Sequence, residues 1–387
     1  MSTIINCGLL IDGTGREPIE NCSIKIQNGK IIETKSSLSS EPGEELIDWS
    51  EFVVIPGFFD CHDHVTEDFG MEYDCEEERK IVSSLRAANN CLNILKSGIT
   101  TVRDAGAKYA INLKVRDAIK NGLIDGPDVL AAGNRISRTG YPKYTICREA
   151  DGIDEVRKAV REEQKDGADF IKLMITGVGA GNPAQPEYSK AEIMAGIEEA
   201  HNLGLTIGVH AHGGLAATYA IQGGVDIVEH GTYLNDNDFE EMKRKKIFLV
   251  ITLPVLRHFK DLNELSSLSN KEVKGEFKKS YLELVSLIRK VREYRILFSL
   301  GGDNHHGDPT GNMKALLDSG ISPVEAITIL TRDSAKICGL ENIKGTIEAG
   351  KIADIVAFEG NPINNVEDFR KVKGVMKAGM IRWGKEY

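Results

Sequence analysis

The chain has 387 residues, is 41% hydrophobic and carries a formal net charge of −10 at pH 7 with no long run of one sign. That length fits one large α/β barrel with an appendage, and the apolar fraction suffices for a sizeable core. The composition speaks against a nucleic-acid partner, which needs a clustered basic face, and against a membrane partner, because no apolar stretch reaches the roughly 18–20 residues that cross a bilayer.

The opening stretches "TIINCGLLIDGTG", "CSIKIQNGKIIET" and "EELIDWS" read as strands joined by Asp-Gly and Asn-Gly turns. From Val53 the rhythm changes to apolar runs alternating with helical stretches, the pattern of repeated βα units. Eight such runs follow, at 53–60, 100–106, 129–136, 170–176, 206–212, 226–231, 248–255 and 297–303. Eight units predict a (β/α)8 TIM barrel over 57–344. The helix in "SKAEIMAGIEEAHNLG" is expected to start at a serine cap and to end at Gly204. The charged segment 256–296 reads as an elaborated barrel helix with a solvated outer face, in preference to a lid. The tail "KGTIEAGKIADIVAFEG" and "VKGVMKAGMIRWG" returns to short strands. Pairing it with the N-terminal strands predicts a composite β-sandwich from 1–56 and 345–387.

The seven cysteines are scattered, with no CxxC spacing, so free thiols in a reducing compartment are expected. The opening "MSTIINCGLLIDGTG" lacks a basic n-region, and the expected location is cytoplasmic. The glycines of "TGVGAGNP" (176–183) match no P-loop and read as a loop.

Active sites of such barrels lie at the C-terminal ends of the strands. Seven of the nine histidines fall there: His62 and His64 after the first run, His210 and His212 at the fifth, His230 at the sixth, and His305 and His306 after Asp303 at the eighth. His201 and His258 lie elsewhere and read as structural. Period-two alternation puts His62 and His64 on one side of their strand, so that both can hold one ion. Cys61 and Asp63 then share the opposite side, the first for packing and the second to orient a neighbouring group. Imidazole and carboxylate ligands suit Zn2+ best, with Mn2+, Co2+ and Fe2+ as alternatives. Lys172 sits between apolar neighbours in "DFIKLMITG", where an ammonium is costly. With its pKa lowered by burial it can react with CO2, and the resulting carbamate can bridge two metals.

His-x-His after strand one, Lys after strand four, His after strands five and six and Asp after strand eight resemble the metal-dependent amidohydrolase superfamily, binuclear type. "VIPGFFDCHDH", "GITTVRDAG", "VHAHG", "DIVEHGT" and "KGTIEAGKIADIVAF" extend the resemblance over nearly the whole chain. Within it the chain looks most like the prolidase-like group of Xaa-Pro, Xaa-Arg and Xaa-Lys dipeptidases. The resemblance implies two divalent cations: the first held by His62, His64 and Asp303, the second by His210 and His230, with carboxylated Lys172 between them. His212 becomes a substrate-side residue, or the strand-five ligand in place of His210. Part of the group carries Gly-Gly-His after strand three; here "SRTGYPKY" puts Tyr141 at the second glycine, which leaves the substrate open.

The expected function is hydrolysis of an amide C–N bond in dipeptides or N-acyl amino acids. A bridging hydroxide attacks, Asp303 acts as general acid and base, and His230 or His212 steadies the oxyanion. A substrate carboxylate would need Arg135, Arg138, Tyr141, Tyr144 or Tyr233, all in loops after strands three and six. The alternative is a cyclic amide, lactone or ester hydrolase of the same superfamily, imidazolonepropionase-like. A deaminase is disfavoured, because the glutamate such sites carry three residues after the strand-five histidine is Gly213 or Leu215 here. An inactive scaffold is disfavoured by the full ligand set. Superfamily resemblance also implies a homo-oligomer.

Overall fold

The computed structural model describes residues 2–67, 75–141, 146–177, 184–252, 271–303 and 306–384, with the backbone alone for 271–277. Four strands open the chain: β1 (Ser2–Leu10), β2 (Ile19–Gln27), β3 (Lys30–Lys35) and β4 (Glu45–Pro56). The hairpin between β2 and β3 turns on Asn28 (φ 52°) and Gly29 (φ 77°), the backbone that a two-residue turn of type I′ requires. A Cβ at Gly29 would also stand 2.7 Å from the Ala378 carbonyl oxygen, so the turn is packed against the other end of the chain.

Ten strands follow: β5 (Phe58–Asp63), β6 (Ile99–Asp104), β7 (Asp128–Ala131), β8 (Arg135–Ser137), β9 (Cys147–Glu149), β10 (Ile171–Met174), β11 (Ile207–Gly213), β12 (Ile227–Tyr233), β13 (Phe248–Thr252) and β14 (Phe298–Gly301). All pair in parallel, as the sheets β5-β6-β7 and β14-β13-β12-β11-β10-β8-β9. Backbone bonds cross both gaps between these sheets. Asp303 N–H donates to the His62 carbonyl at 2.8 Å, and Asp169 N–H donates to the Ala131 carbonyl at 2.9 Å. Three strands close the chain, β15 (Ile355–Phe358), β16 (Val372–Lys377) and β17 (Met380–Gly384), and they join the first four in one sheet of order β17-β16-β15-β4-β1-β2-β3. Ile5, Ile24, Ile47 and Trp49 from one end and Ile355, Ala357 and Met376 from the other bury a shared apolar core. Neither end could cover that face alone.

Helices separate the parallel strands: α1 (Glu76–Lys96), α2 (Ile111–Lys120), α3 (Gly152–Asp166), α4 (Lys190–Asn202), α5 (Gly214–Gly223), α6 (Asp236–Lys245), α7 (Lys271–Tyr294), α8 (Thr310–Asp318), α9 (Pro323–Thr328) and α10 (Ser334–Ile337). Ser189 caps α4 in a reciprocal box with Glu192, which satisfies two backbone donors at once. Leu284, Val285, Leu287, Ile288 and Val291 bury one stripe of α7, and the opposite face is solvated. Residues 256–270 of the segment expected to be a barrel helix, and 253–255 of the seventh run, lie outside the described residues.

Two predicted runs divide. The first, 53–60, ends β4 and begins β5, with Gly57 seated against the Thr100 side chain between them. Continuous apolarity hid the change of sheet. The third, 129–136, splits into β7 and β8 at Gly133, whose φ of 73° breaks the strand where Glu163 closes over it. The three-residue β9 was too short for periodicity to show.

Gly301 has no room for a side chain, because a Cβ there would lie 2.6 Å from the His62 backbone. Gly301→Ala should therefore destabilise by several kcal/mol through overpacking of backbone. Gly204→Ala, with nothing within 4 Å, should lose only about 1 kcal/mol to its positive φ. Urea midpoints of the two variants check this, and equal losses would refute it.

Candidate metal-binding active site

The residues gathered from the strand ends meet at one rim. His62 lies in β5 and His64 just beyond it, both nearly fully buried. Asp60, in the same strand, accepts N–H bonds from His62 (3.0 Å) and Gly302 (3.0 and 3.1 Å). One carboxylate thus ties the ligand end of β5 to the loop leaving β14. Asp303 follows in that loop at φ 48°, and His230 lies within β12 at φ 74°. Non-glycine residues held there cost roughly 1–3 kcal/mol each, strain that gathers at functional sites.

The side-chain nitrogens are sorted by their partners. His64 Nδ1 meets the Gly106 carbonyl at 3.0 Å, which leaves Nε2 toward Asp303 Oδ1 at 3.6 Å. His62 Nε2 stands 3.5 Å from the same oxygen. His230 Nδ1 bonds Thr252 Oγ1 at 2.7 Å, and its buried Nε2 has no hydrogen-bond partner among the described residues. His210 Nε2 bonds the Gly177 carbonyl at 3.1 Å, and its ring packs 4.4 Å from that of His230. His212 is half-buried at the outer edge, stacked on His230 at 4.9 Å, with Nδ1 3.2 Å from Thr232 Oγ1.

Two overlapping groups have donor atoms within 4.8 Å of one another: His62, His64 and Asp303, and His62, Glu229 and His230. Imidazole and carboxylate atoms facing one another beyond hydrogen-bond length, in a buried place, fit a divalent cation between them. Burial is also the main cause of pKa values well below the usual imidazole range at His64, His210 and His230, with neighbouring cations adding to it. The rings are thereby held in the neutral, ligating form.

Lys172 lies beneath them in β10, 1% exposed. Its Nζ touches Glu229 Oε2, and burial, then Arg103 and Arg135, hold its pKa well below the usual ammonium range. Glu229 is the residue that sequence reading missed. Strict alternation from His230 would turn it outward, but the positive φ at His230 lets both side chains serve the interior. The Glu229 Oε1 atom accepts from Arg103 Nη1 at 2.6 Å, and that guanidinium stacks 3.7 Å over the Phe170 ring. A charged residue inside an apolar run, as in "TTVRDAG", was the available signal.

The candidate substrate residues scatter. Arg135 is buried beside Lys172 and ion-paired with Glu67. Arg138 is paired with Glu187. Tyr141 is fully enclosed, and its hydroxyl donates to the Thr176 carbonyl at 3.1 Å. Tyr233 is 52% exposed, with its ring 6.4 Å from that of His212. Tyr144 and His305 lie outside the described residues, as does His258. His306 is held by Asp63 at 3.0 Å, and His201 bonds Asp226 at 2.9 Å. Cys61 packs in an apolar cluster with Phe59, Ile227 and Val250, 4.0 Å from the Cys338 sulfur. Ala335 and Ile337 of α10 belong to the same cluster, so Cys61 packs toward a helix, as expected.

Residues 53–382 match the model of the amidohydrolase family. Ochratoxinase of Aspergillus niger is 30% identical over 96% of this chain and 84% of its own length. Imidazolonepropionase of Thermoplasma volcanium is 25% identical over 92% of this chain and 86% of its own. A crystal structure of a Xaa-Pro dipeptidase with bound methionine in the active site superposes with a TM-score of 0.87 at 29% identity, covering 99% of this chain and all of that one.

Two outcomes follow from the electrostatics. Glu229→Gln leaves Arg103 without its buried counter-ion and should cost about 3–5 kcal/mol; a loss under about 1 kcal/mol in urea unfolding would show that the pair is not structural. The depressed imidazole pKa values mean that the unfolded chain binds more protons below about pH 6.5. The histidine contribution is therefore present above that pH and lost as pH falls. Asp104 and Glu163, with carboxyl pKa values pushed by burial to about 6 and about 7, work the opposite way, so the effect is read as a difference. Metal-stripped wild type should lose stability relative to His210→Gln between pH 6.5 and 5.5, by up to about 1.4 kcal/mol per pH unit. Parallel curves would contradict the neutral-ring assignment.

Proposed function

The chain belongs to the amidohydrolase family, and on that premise we propose a metal-dependent hydrolase that cleaves the amide bond of dipeptides or N-acyl amino acids. The observation that carries this reading is the buried rim of His62, His64, His230 and Asp303, whose donor atoms face one another over Lys172 and Glu229. His62, His64 and Asp303 would hold one divalent cation. A second would be held by His210 through Nδ1 and His230 through Nε2, the ring nitrogens not committed to Gly177 and Thr252. Zn2+ suits this donor set best. Lys172, once carboxylated by CO2, would lie between them. Arg103 and Arg135, which disfavour an ammonium there, favour an anion in its place. The fold we assign is a closed barrel over 57–344 beside a β-sandwich from 1–56 and 345–387, working as a homo-oligomer in the cytoplasm.

Bound cations of this kind supply Lewis acidity and a water acidic enough to ionise near neutral pH. Asp303 would take the proton from the attacking water and deliver it to the leaving nitrogen. His212, on the outer edge of the rim, donates to the oxyanion. Tyr233, exposed beside His212, is the tyrosine best placed for a substrate carboxylate. Similarity to an imidazolonepropionase supports a second reading, a cyclic amide as substrate, with the same residues acting.

Metal-loaded enzyme in bicarbonate, screened against dipeptides and N-acyl amino acids, should hydrolyse at least one class. Cyclic amides alone as substrates would favour the second reading. Asp303→Asn with its metal content unchanged should lose several orders of magnitude in kcat, and near-normal turnover would remove Asp303 as the proton carrier.

A further inference from the structure

A cavity of about 740 Å3 lies far from the histidine rim, between the end of α7, the Gly15–Glu17 loop after β1 and the helix that begins at Pro323. Ile296–Phe298, which lead into β14, line it. It therefore opens at the N-terminal ends of the parallel strands, the pole opposite the ligand-bearing ends of β5, β11, β12 and β14.

Four guanidinium groups line this cavity, Arg16, Arg292, Arg295 and Arg332, against the carboxylates Glu17, Glu325 and Asp333. In a chain of net charge −10 this is a local reversal of sign. Arg332 is fixed as part of the wall: Nε lies 3.0 Å from Asp333, and Nη1 donates to the Thr14 carbonyl at 2.7 Å. Arg292 bonds Glu325 at 2.8 and 3.0 Å. That pair is solvated on both sides, 38% and 44% exposed, and such pairs contribute only about 0–1 kcal/mol. Arg16 and Arg295 are exposed and make no ion pair among the described residues. A second, independent feature lies in the same wall. Ile329–Asp333 forms a π-turn between α9 and α10, and it supplies Ile329, Arg332 and Asp333 to the lining. Such insertions are concentrated at functional sites.

We propose that this cavity binds a small polyanion bearing two or more phosphate or carboxylate groups, held chiefly by Arg16 and Arg295 with Arg292 and Arg332 beside them. Guanidinium forks match both oxyanions in bidentate fashion. The volume is that of a small-molecule site. The one aromatic ring in the lining, Phe298, is only 5% exposed, so the guanidinium charge is the recognised feature.

Titration calorimetry on the metal-loaded, full-length protein tests this with two probes, 2,3-bisphosphoglycerate and propane-1,2,3-tricarboxylate. At least one should bind with one-to-one stoichiometry, and its identity tells phosphate from carboxylate recognition. The Arg16→Gln/Arg295→Gln variant should bind it at least tenfold more weakly, with metal content and melting temperature unchanged. Binding of neither probe would overturn the proposal. Undiminished binding to the variant would also overturn it, since the anion would then be held elsewhere.

Discussion

The rim depends on how the interior enclosed by the parallel strands tolerates positive charge. Lys172, Arg103 and Arg135 are all buried in one neighbourhood, and Glu229 and Glu67 stand against them. An isolated buried cation is unstable unless it is paired or neutralised. Glu229 meets this for Arg103 directly, and it touches Lys172 with its other oxygen. The same field, with burial, keeps the imidazoles above neutral. Ligating nitrogens, a suppressed ammonium and a buried carboxylate are thus one coupled arrangement. A space that disfavours further positive charge from protons admits a divalent cation only if anionic ligands accompany it, and Asp303 and the carbamate are proposed for that part.

Geometry at the rim is set by backbone rather than by side-chain length. Asp60 gathers the N–H groups of His62 and Gly302, Asp303 bonds back to the His62 carbonyl, and Gly301 lets the two strands approach. These contacts join β5 to β14, the first and last strands of the parallel set, so residues about 240 apart in sequence are held together by close backbone packing. The left-handed backbones of His230 and Asp303 are affordable because this packing over-determines them.

Much of this was legible in the sequence. The eight apolar runs, the serine cap of α4 and the strands contributed by both ends follow from periodicity and turn chemistry, which act locally. The histidines and Lys172 could be placed on one rim because parallel strands put all their C-terminal ends together. What escaped was non-local or broke the period. Glu229 joined the interior through one residue's positive φ, and the split of the third run came from Glu163 reaching back over Gly133. Arg135 and Tyr141 look in sequence like loop residues open to a substrate. Tertiary packing encloses both, one against Glu67 and the other against Thr176.

The central claim is that Lys172 serves as an anion between two cations rather than as a buried ammonium. A crystal structure of the zinc-loaded protein grown with bicarbonate tests it most directly. The account predicts continuous density from Lys172 Nζ into a carbamate that contacts two metal ions. An unmodified amine still against Glu229, with fewer than two ions at the histidines, would contradict it.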